Sequence, residues 1–457
     1  MSEQVAALIA GVDYAALPDA VLRAGKLALL DATGVMLAAS GLSPEARAFA
    51  RMAQGMGGGP CAILGTRQRA AAPMAALANG ALAHALDFED AFDLAPGHPN
   101  GSLVPALIAL AQMQGAAGDP VDGQRFLAAL VAGCEMSCRM GLALRRKMEE
   151  GGWYPPPILA GFGAVAGAAH LLRLNPRQMA DAFSLALCSV TMPGEIKYSQ
   201  RTTIRAIREA FPAQAAVQAV LLAQAGVAGF EEPLEGRAGF YALYAGGQFD
   251  PDILLAPPDG AFWIEQLTFK PWPSCRGTHP FIEMALALQA EHGFTVQDIA
   301  AIRAGIGPMQ VMLAEPHARK AAPEVAIDAK FSVPFCTALA LAKGGVGLDS
   351  FAPEMLADPA VLALASRVTC HVPDGAENWR GDAGALEIAL ADGTVLSARR
   401  DAARGAPHNP LAEGEVIDKF VACAARAARP LADSPARELA RQILSLEKCA
   451  DAGALLA

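Results

Sequence analysis

The sequence predicts a mostly α fold, a large all-helical domain carrying a smaller α+β lid domain. Three observations lead there. Ala, Gly and Leu dominate the 457 residues while aromatics reach only 6%, a composition that suits close-packed helices better than a broad sheet. From residue 1 to about 260, apolar residues recur at helical spacing between Gly and Pro punctuation. After the segment PDILLAPPDG at 251–260 the pattern changes and strand-like runs appear between helices. A hydrophobic share of 53% in a chain of this length is enough for two domains and a large dry core.

Element by element, Pro18 opens a helix that runs through Val21, Leu22, Leu29, Leu30 and Met36 to Gly41, with Pro at the entry and Gly at the exit. Further helices are expected at 73–86 and 102–115, and over about 124–145, 155–171, 176–190 and 202–225. No fixed-period repeat suggests a solenoid. Beyond the break, 299–306 and 361–372 read as strands, and ALEIALADGTVLSAR at 385–399 reads as a hairpin turning at Asp392-Gly393. Helices at about 280–291, 332–343 and 353–366 lie between them. The chain is helical again over about 416–426 and 435–446, and this tail is expected to return to the first domain. The division is therefore 1–265 helical, 266–404 the α+β lid, and 405–457 the returning helices.

Lys and Arg number 36 against 46 Asp and Glu, giving a net charge of -10. With no basic run to track a phosphate backbone, nucleic acid is excluded as a partner. The start MSEQVAALIAGVDYAALPDA lacks the basic opening and unbroken apolar stretch of a signal peptide, and no apolar run reaches bilayer length. The expectation is a cytoplasmic protein with no membrane role. Nine scattered cysteines give neither a disulfide framework nor a zinc knuckle. A P-loop, a dinucleotide fingerprint, H-E-x-x-H and G-x-S-x-G are all missing, which counts against metal, nucleotide and serine-hydrolase mechanisms.

Three clusters carry possible chemistry. In NGALAHALDFEDAFDLAPGHPNGSLVPALIAL at 79–110, His84 and Asp87 are expected on one helical face, followed by Glu89, Asp90, Asp93 and, before the next helix, His98. A helix C-terminus disfavours the charge of Asp87 and predicts a raised pKa, whereas a helix N-terminus holds His98 neutral and ready to exchange a proton. The competing reading is a solvated acidic loop with a capping histidine. In FKPWPSCRGTHPFIEMALAL at 269–288, Pro280 makes His279 a helix-entry residue, and Lys270 and Arg276 stand ready to hold a carboxylate. Cys275 beside them shows no feature that would make it a nucleophile. The third cluster is Arg201, Arg205 and Arg208, at spacings of four and three on one helix face. By itself the stripe reads as a solvated face paired with Glu209 or Glu195; as a binding feature it would grip carboxylates bidentately. Lys197 and Tyr198 lie just upstream.

At ANGALAHALDFED with HPNGSLVPALIALA (78–111), LEGRAGFYALY (234–244), KPWPSCRGTHPFIEMAL (270–286), KFSVPFCTALAL (330–341) and GAPHNPLAEGEVIDKF (405–420), the chain resembles the MmgE/PrpD family along nearly its whole length. The resemblance implies a helical domain built from the N-terminal portion and the tail, a lid between them, a homodimer, and an active site between the domains. It implies Asp87, His98 and His279 as catalytic residues, with Lys270 nearby, and chemistry that needs no organic cofactor or metal. A proton is removed alpha to a carboxylate, after which water leaves, carbon dioxide leaves, or the proton returns on the other face. Two departures stand out: RAIREAFPAQAA at 205–216 replaces a K-x-x-H-x-G motif, and Ala91 replaces a threonine of the decarboxylase-like members, in a loop one residue longer.

The combined expectation is a dehydratase-type lyase acting on a small di- or tricarboxylate. Arg205, Arg208, Lys270, His84 and Arg276 bind the substrate, and Asp87, His98 and His279 share the acid and base roles. An epimerase of an amino- or imino-dicarboxylate, a decarboxylase and a non-catalytic carboxylate-binding protein are the alternatives. Asp87 and His279 are expected on loops at helix ends, so their replacement should spare the fold.

Overall fold

In the computed structural model, which describes residues 1–199, 201–257 and 261–457, helices rich in Ala and Gly lie close together because few bulky side chains hold them apart. Helices Gly123–Leu142 and Pro155–Leu171 cross where Gly133 faces Gly163. A Cβ built on Gly163 would stand 2.7 Å from the Gly133 carbonyl oxygen. Around this crossing pack Ala72–His84, Pro99–Ala116, Pro176–Leu187 and Ala210–Gln224. The centre is filled by buried Phe126, Phe162, Phe183 and Phe240, with Phe162 and Phe240 edge-on at 4.8 Å between centroids. The long helix Asp19–Leu42 carries the tail helices Glu413–Ala424 and Asp433–Leu444. Lys419 of the tail reaches Asp31 at 2.6 Å.

A small antiparallel pair, β1 (Cys61–Ala62) and β2 (Arg69–Ala70), lies within this part of the chain and was not foreseen from the pattern. The remaining strands are β3 (Ile299–Gly305), β4 (Val368–His371), β5 (Gly384–Leu390) and β6 (Val395–Arg400), in the order β4-β3-β5-β6. β3 and β4 are parallel and the other pairs antiparallel. Gly384, Leu386 and Ile388 alternate into the core from β5. The β5–β6 turn falls at Asp392-Gly393 as expected, with Gly393 at φ +90°, a region that glycine enters without a Cβ penalty. Helices His279–His292 and Val333–Lys343 pack against this sheet and each other. The fold is thus mostly α, a large helical part with a smaller α+β part.

Four local expectations are corrected. Residues 361–372 are not one strand: Asp358 caps the helix Pro359–Ala365 by accepting from the amides of Ala360 and Val361, and the strand is confined to Val368–His371. The helix before the acidic loop ends at His84, so Asp87 lies beyond it at φ +50° and does not share its face. Its amide donates to the His84 carbonyl at 2.8 Å, closing a turn in which Asp tolerates the left-handed region. The next helix begins at Pro99 rather than Ser102, with His98 as its N-cap residue. Finally, 202–225 is broken into Ile204–Ile207 and Ala210–Gln224. Pro212 has no N–H for the Arg208 carbonyl and its ring crowds it. Among the described residues no single helix is long and apolar enough to cross a membrane.

Candidate active site

Where the loop after His84 meets the α+β part, a cavity of about 340 Å³ opens, lined among others by Asp87, His98, Tyr154, Arg205, Arg276 and Phe331. The loop is held by one carboxylate. Glu89 is fully buried, and its Oε1 accepts from Nδ1 of His84 and lies 3.0 Å from Nδ1 of His98. The same His98 Nδ1 is 2.8 Å from the Asp90 carbonyl oxygen. A carbonyl only accepts, so Nδ1 carries the proton and Nε2 keeps its lone pair on a ring that lines the cavity. Burial pushes the Glu89 carboxyl up, but His84, Lys270 and His98 outweigh it and hold it well below the usual range. Glu89 is therefore a fixed negative charge behind His98.

Asp87 does not have the raised pKa expected from a helix end. Burial acts in that direction, yet Lys270 Nζ, 2.6 Å from its Oδ1, holds the group at about 2 with help from His84. A direct ion pair outweighs a dipole that is strongest only in the last turn. Lys270 is fully buried and also donates to the Asp87 carbonyl at 3.1 Å; burial lowers its pKa, and Asp87 and Glu89 more than restore it. It is outside the cavity lining. His84 is likewise walled off, its pKa lowered to about 4 by burial and by Arg208.

Arg276 lines the cavity, but its donors are committed. Nε donates to Asp93 at 3.1 Å, Nη1 to the Arg404 carbonyl at 2.7 Å and to His279 Nδ1 at 3.4 Å, and Nη2 to Asp382 at 3.1 Å and the Ala403 carbonyl at 2.6 Å. His279 itself donates from Nε2 to the Ser274 carbonyl at 3.1 Å and stands edge-on to Trp272. It is fully buried and outside the lining, and burial followed by Arg276 pushes its ring well below the ordinary imidazole pKa. The neutral ring props Arg276. The Cys275 thiol is pushed up by burial.

The three arginines of the stripe have different surroundings, although Arg205 and Arg208 both lie over the Tyr154 ring, at 5.7 and 5.1 Å from its centre. Arg201 is exposed and pairs with Glu324 at 3.2 Å. Arg208 is fully buried, bonded to Glu209 at 3.1 Å and to the Tyr154 hydroxyl at 2.7 Å, and outside the lining. Arg205 is different. It is 6% exposed, its guanidinium lies 3.4 Å from the centre of the Phe331 ring, and among the described residues it makes no ion pair or hydrogen bond. It lines the cavity with Lys197.

The sequence reading named Glu89 only as one acid of a loop and missed Tyr154, Glu149, Asp382 and Lys330. Lys330 donates to the carbonyls of Leu86 and Pro273, both at 2.8 Å, tying the Asp87 loop to the Arg276 turn; burial lowers its pKa to about 7. Its KFSVPFC context was visible, but nothing in it signals chemistry. His84, Glu89 and His98 are residue types that hold a divalent cation, with ligand atoms within 4.8 Å of one another. Here those atoms face each other directly, and hydrogen bonds account for their spacing.

Residues 3–252 match the model of the MmgE/PrpD N-terminal domain, and residues 272–445 that of the MmgE/PrpD C-terminal domain. Among curated proteins, a cis-aconitate decarboxylase-like protein of Aspergillus oryzae is 26% identical over 461 residues, 96% of this chain and 93% of the relative. Cis-aconitate decarboxylase of Mus musculus is 25% identical, over 93% of this chain and 87% of the relative. A 2-methylcitrate dehydratase of Cupriavidus necator is 26% identical, over 73% and 71%.

Proposed function

The chain belongs to the MmgE/PrpD family, and from that premise we propose a lyase that removes a proton alpha to a carboxylate of a small di- or tricarboxylate, with dehydration as the reaction. The observation that carries the reading is the His98 ring: Nδ1 fixed by Glu89 and Asp90, Nε2 free at a cavity that also presents the unpartnered Arg205. Arg205 binds the carboxylate, and its charge stabilises the electron density that builds there as the C–H bond breaks. Nε2 takes the proton, and Glu89 and Asp87, both anionic, stabilise the imidazolium. That imidazolium returns the proton to the departing hydroxyl, the C–O bond breaks, and water and a double bond are the products.

One free imidazole suits this sequence. An epimerase needs a second base on the other face of the carbon, and Asp87 is tied to Lys270 while His279 stands outside the lining. Decarboxylation is the second reading, favoured by two relatives that match 96% and 93% of this chain; there the imidazolium would protonate carbon as carbon dioxide leaves. The test is NMR in deuterated water with 2-methylcitrate, 2-alkylmalates and cis-aconitate. Olefin formation with loss of water supports the proposal. Carbon dioxide release from cis-aconitate selects the second reading, and deuterium uptake without either product overturns both.

A further inference from the structure

Three cations, Lys197, Arg205 and Arg276, line the cavity against four carboxylates, Asp87, Asp93, Glu149 and Asp382. How these charges are already paired decides how many carboxylates a ligand can bring. Arg276 faces both Asp93 and Asp382 and has no donor left over. The charge of Asp87 is paired through Oδ1 with Lys270, and its buried Oδ2 has no hydrogen-bond partner among the described residues. Lys197 lies 3.4 Å from Glu149, longer than a tight charge-assisted hydrogen bond of about 2.7–2.9 Å, so an entering carboxylate can share or displace that contact. Arg205 has no counter-charge among the described residues, and its buried Nε lacks a partner. Arg205 and Lys197 both lie over the Tyr154 ring, at 5.7 and 5.3 Å from its centre, so the two available cations share one wall. Another part of the lining, Met309, Met312 and Leu313, is apolar.

We propose that the cavity takes a dicarboxylate bearing an apolar branch, with one carboxylate on Arg205, the other on Lys197 and the branch against Met309, Met312 and Leu313, and that it discriminates against tricarboxylates. A third carboxylate meets either the thioethers and leucine, where it is desolvated without a partner, or the acids around Arg276 and Lys197, where it meets like charge. The inference rests on the reading of this cavity as the carboxylate-processing site and narrows its substrate.

The test is calorimetric binding of two unreactive probes to the full chain: 2-ethylsuccinate and propane-1,2,3-tricarboxylate, which share a skeleton except that a methyl replaces the third carboxylate. 2-Ethylsuccinate is expected to bind at least about tenfold more tightly. Arg205→Gln and Lys197→Gln are each expected to weaken it by about tenfold or more, checked by circular dichroism for retention of fold; Arg205→Lys is expected to recover part of the loss. Equal or tighter binding of the tricarboxylate, binding of neither probe, or a folded Arg205→Gln protein with unchanged affinity overturns the proposal. The wild-type comparison decides the matter even if a variant fails to fold. Binding is read without turnover, so a lyase reading that fails by NMR leaves the outcome of this experiment intact, and the reverse holds as well.

Discussion

Glu89 holds two imidazoles on one oxygen, so the orientation and tautomer of His98 depend on a residue outside the cavity lining. His98→Asn is expected to lower kcat by about 10²–10⁴-fold with little change in Tm, the usual contribution of a positioned acid or base. Glu89→Gln should lower kcat by about 10²-fold with little change in KM, because the anion that fixes the Nδ1 proton and stabilises the imidazolium is gone; an unchanged kcat would count against the dyad. Asp87→Asn and His279→Ala are expected from the sequence to spare the fold, and the ion pair with Lys270 argues the other way for Asp87. Asp87→Asn strands the buried Lys270 ammonium and should cost about 3–5 kcal/mol, read as a large drop in Tm. The motifs made the reacting residue types legible. They did not show which donors remain free, because Arg276 is saturated by groups at 93, 279, 382, 403 and 404 that no local pattern connects.

At the scale of elements, the helical body depends on close approach as much as on apolar area. Gly163→Ala would push a methyl into the Gly133 carbonyl at 2.7 Å, backbone that cannot rotate away. The expected cost is about 1–3 kcal/mol by thermal denaturation; a neutral outcome would mean that the two helices can separate freely. Most long helices were legible because Pro at their start and helical spacing agree. The errors came where local residues overrode the pattern: Pro212 splitting a helix, and Asp358 capping Pro359–Ala365, which keeps the helix expected at 353–366 and removes the overlapping strand reading up to Ala365. The first of these matters for function. On either side of the break, Arg208 is fully buried and bonded to Glu209 and Tyr154, while Arg205 lines the cavity; both lie over the Tyr154 ring.

For the molecule as a whole, the buried imidazoles of His84 and His279 contribute to the response to acid. His84 has a folded pKa of about 4 and His279 lies well below 6.5, so the unfolded chain binds more protons than the folded one from 6.5 down to about 4. Their own contribution is therefore full above that window and is lost as pH falls through it, while the buried Asp90 carboxyl, pushed well above the usual carboxylate range chiefly by burial, acts in the opposite sense. His84→Gln should lose less Tm than the wild type between pH 6.5 and 4, and an identical decline in the two proteins would refute the neutral burial of that ring. The division into a helical and an α+β part was legible from the change in pattern near 260; the path by which the tail reaches the site was not. Lys419, near the end of the chain, donates to the carbonyls of Phe88 at 2.7 Å and Lys270 at 3.0 Å, one beside Glu89 and the other on the partner of Asp87. The consequence concerns synthesis. Translation completes the loop and the GTH turn long before this lysine leaves the ribosome, and folding begins from the N-terminal side. A chain stopped after residue 279 but before residue 419 carries all three motif residues without the clamp that joins their segments, so late nonsense mutations should be as inactivating as early ones.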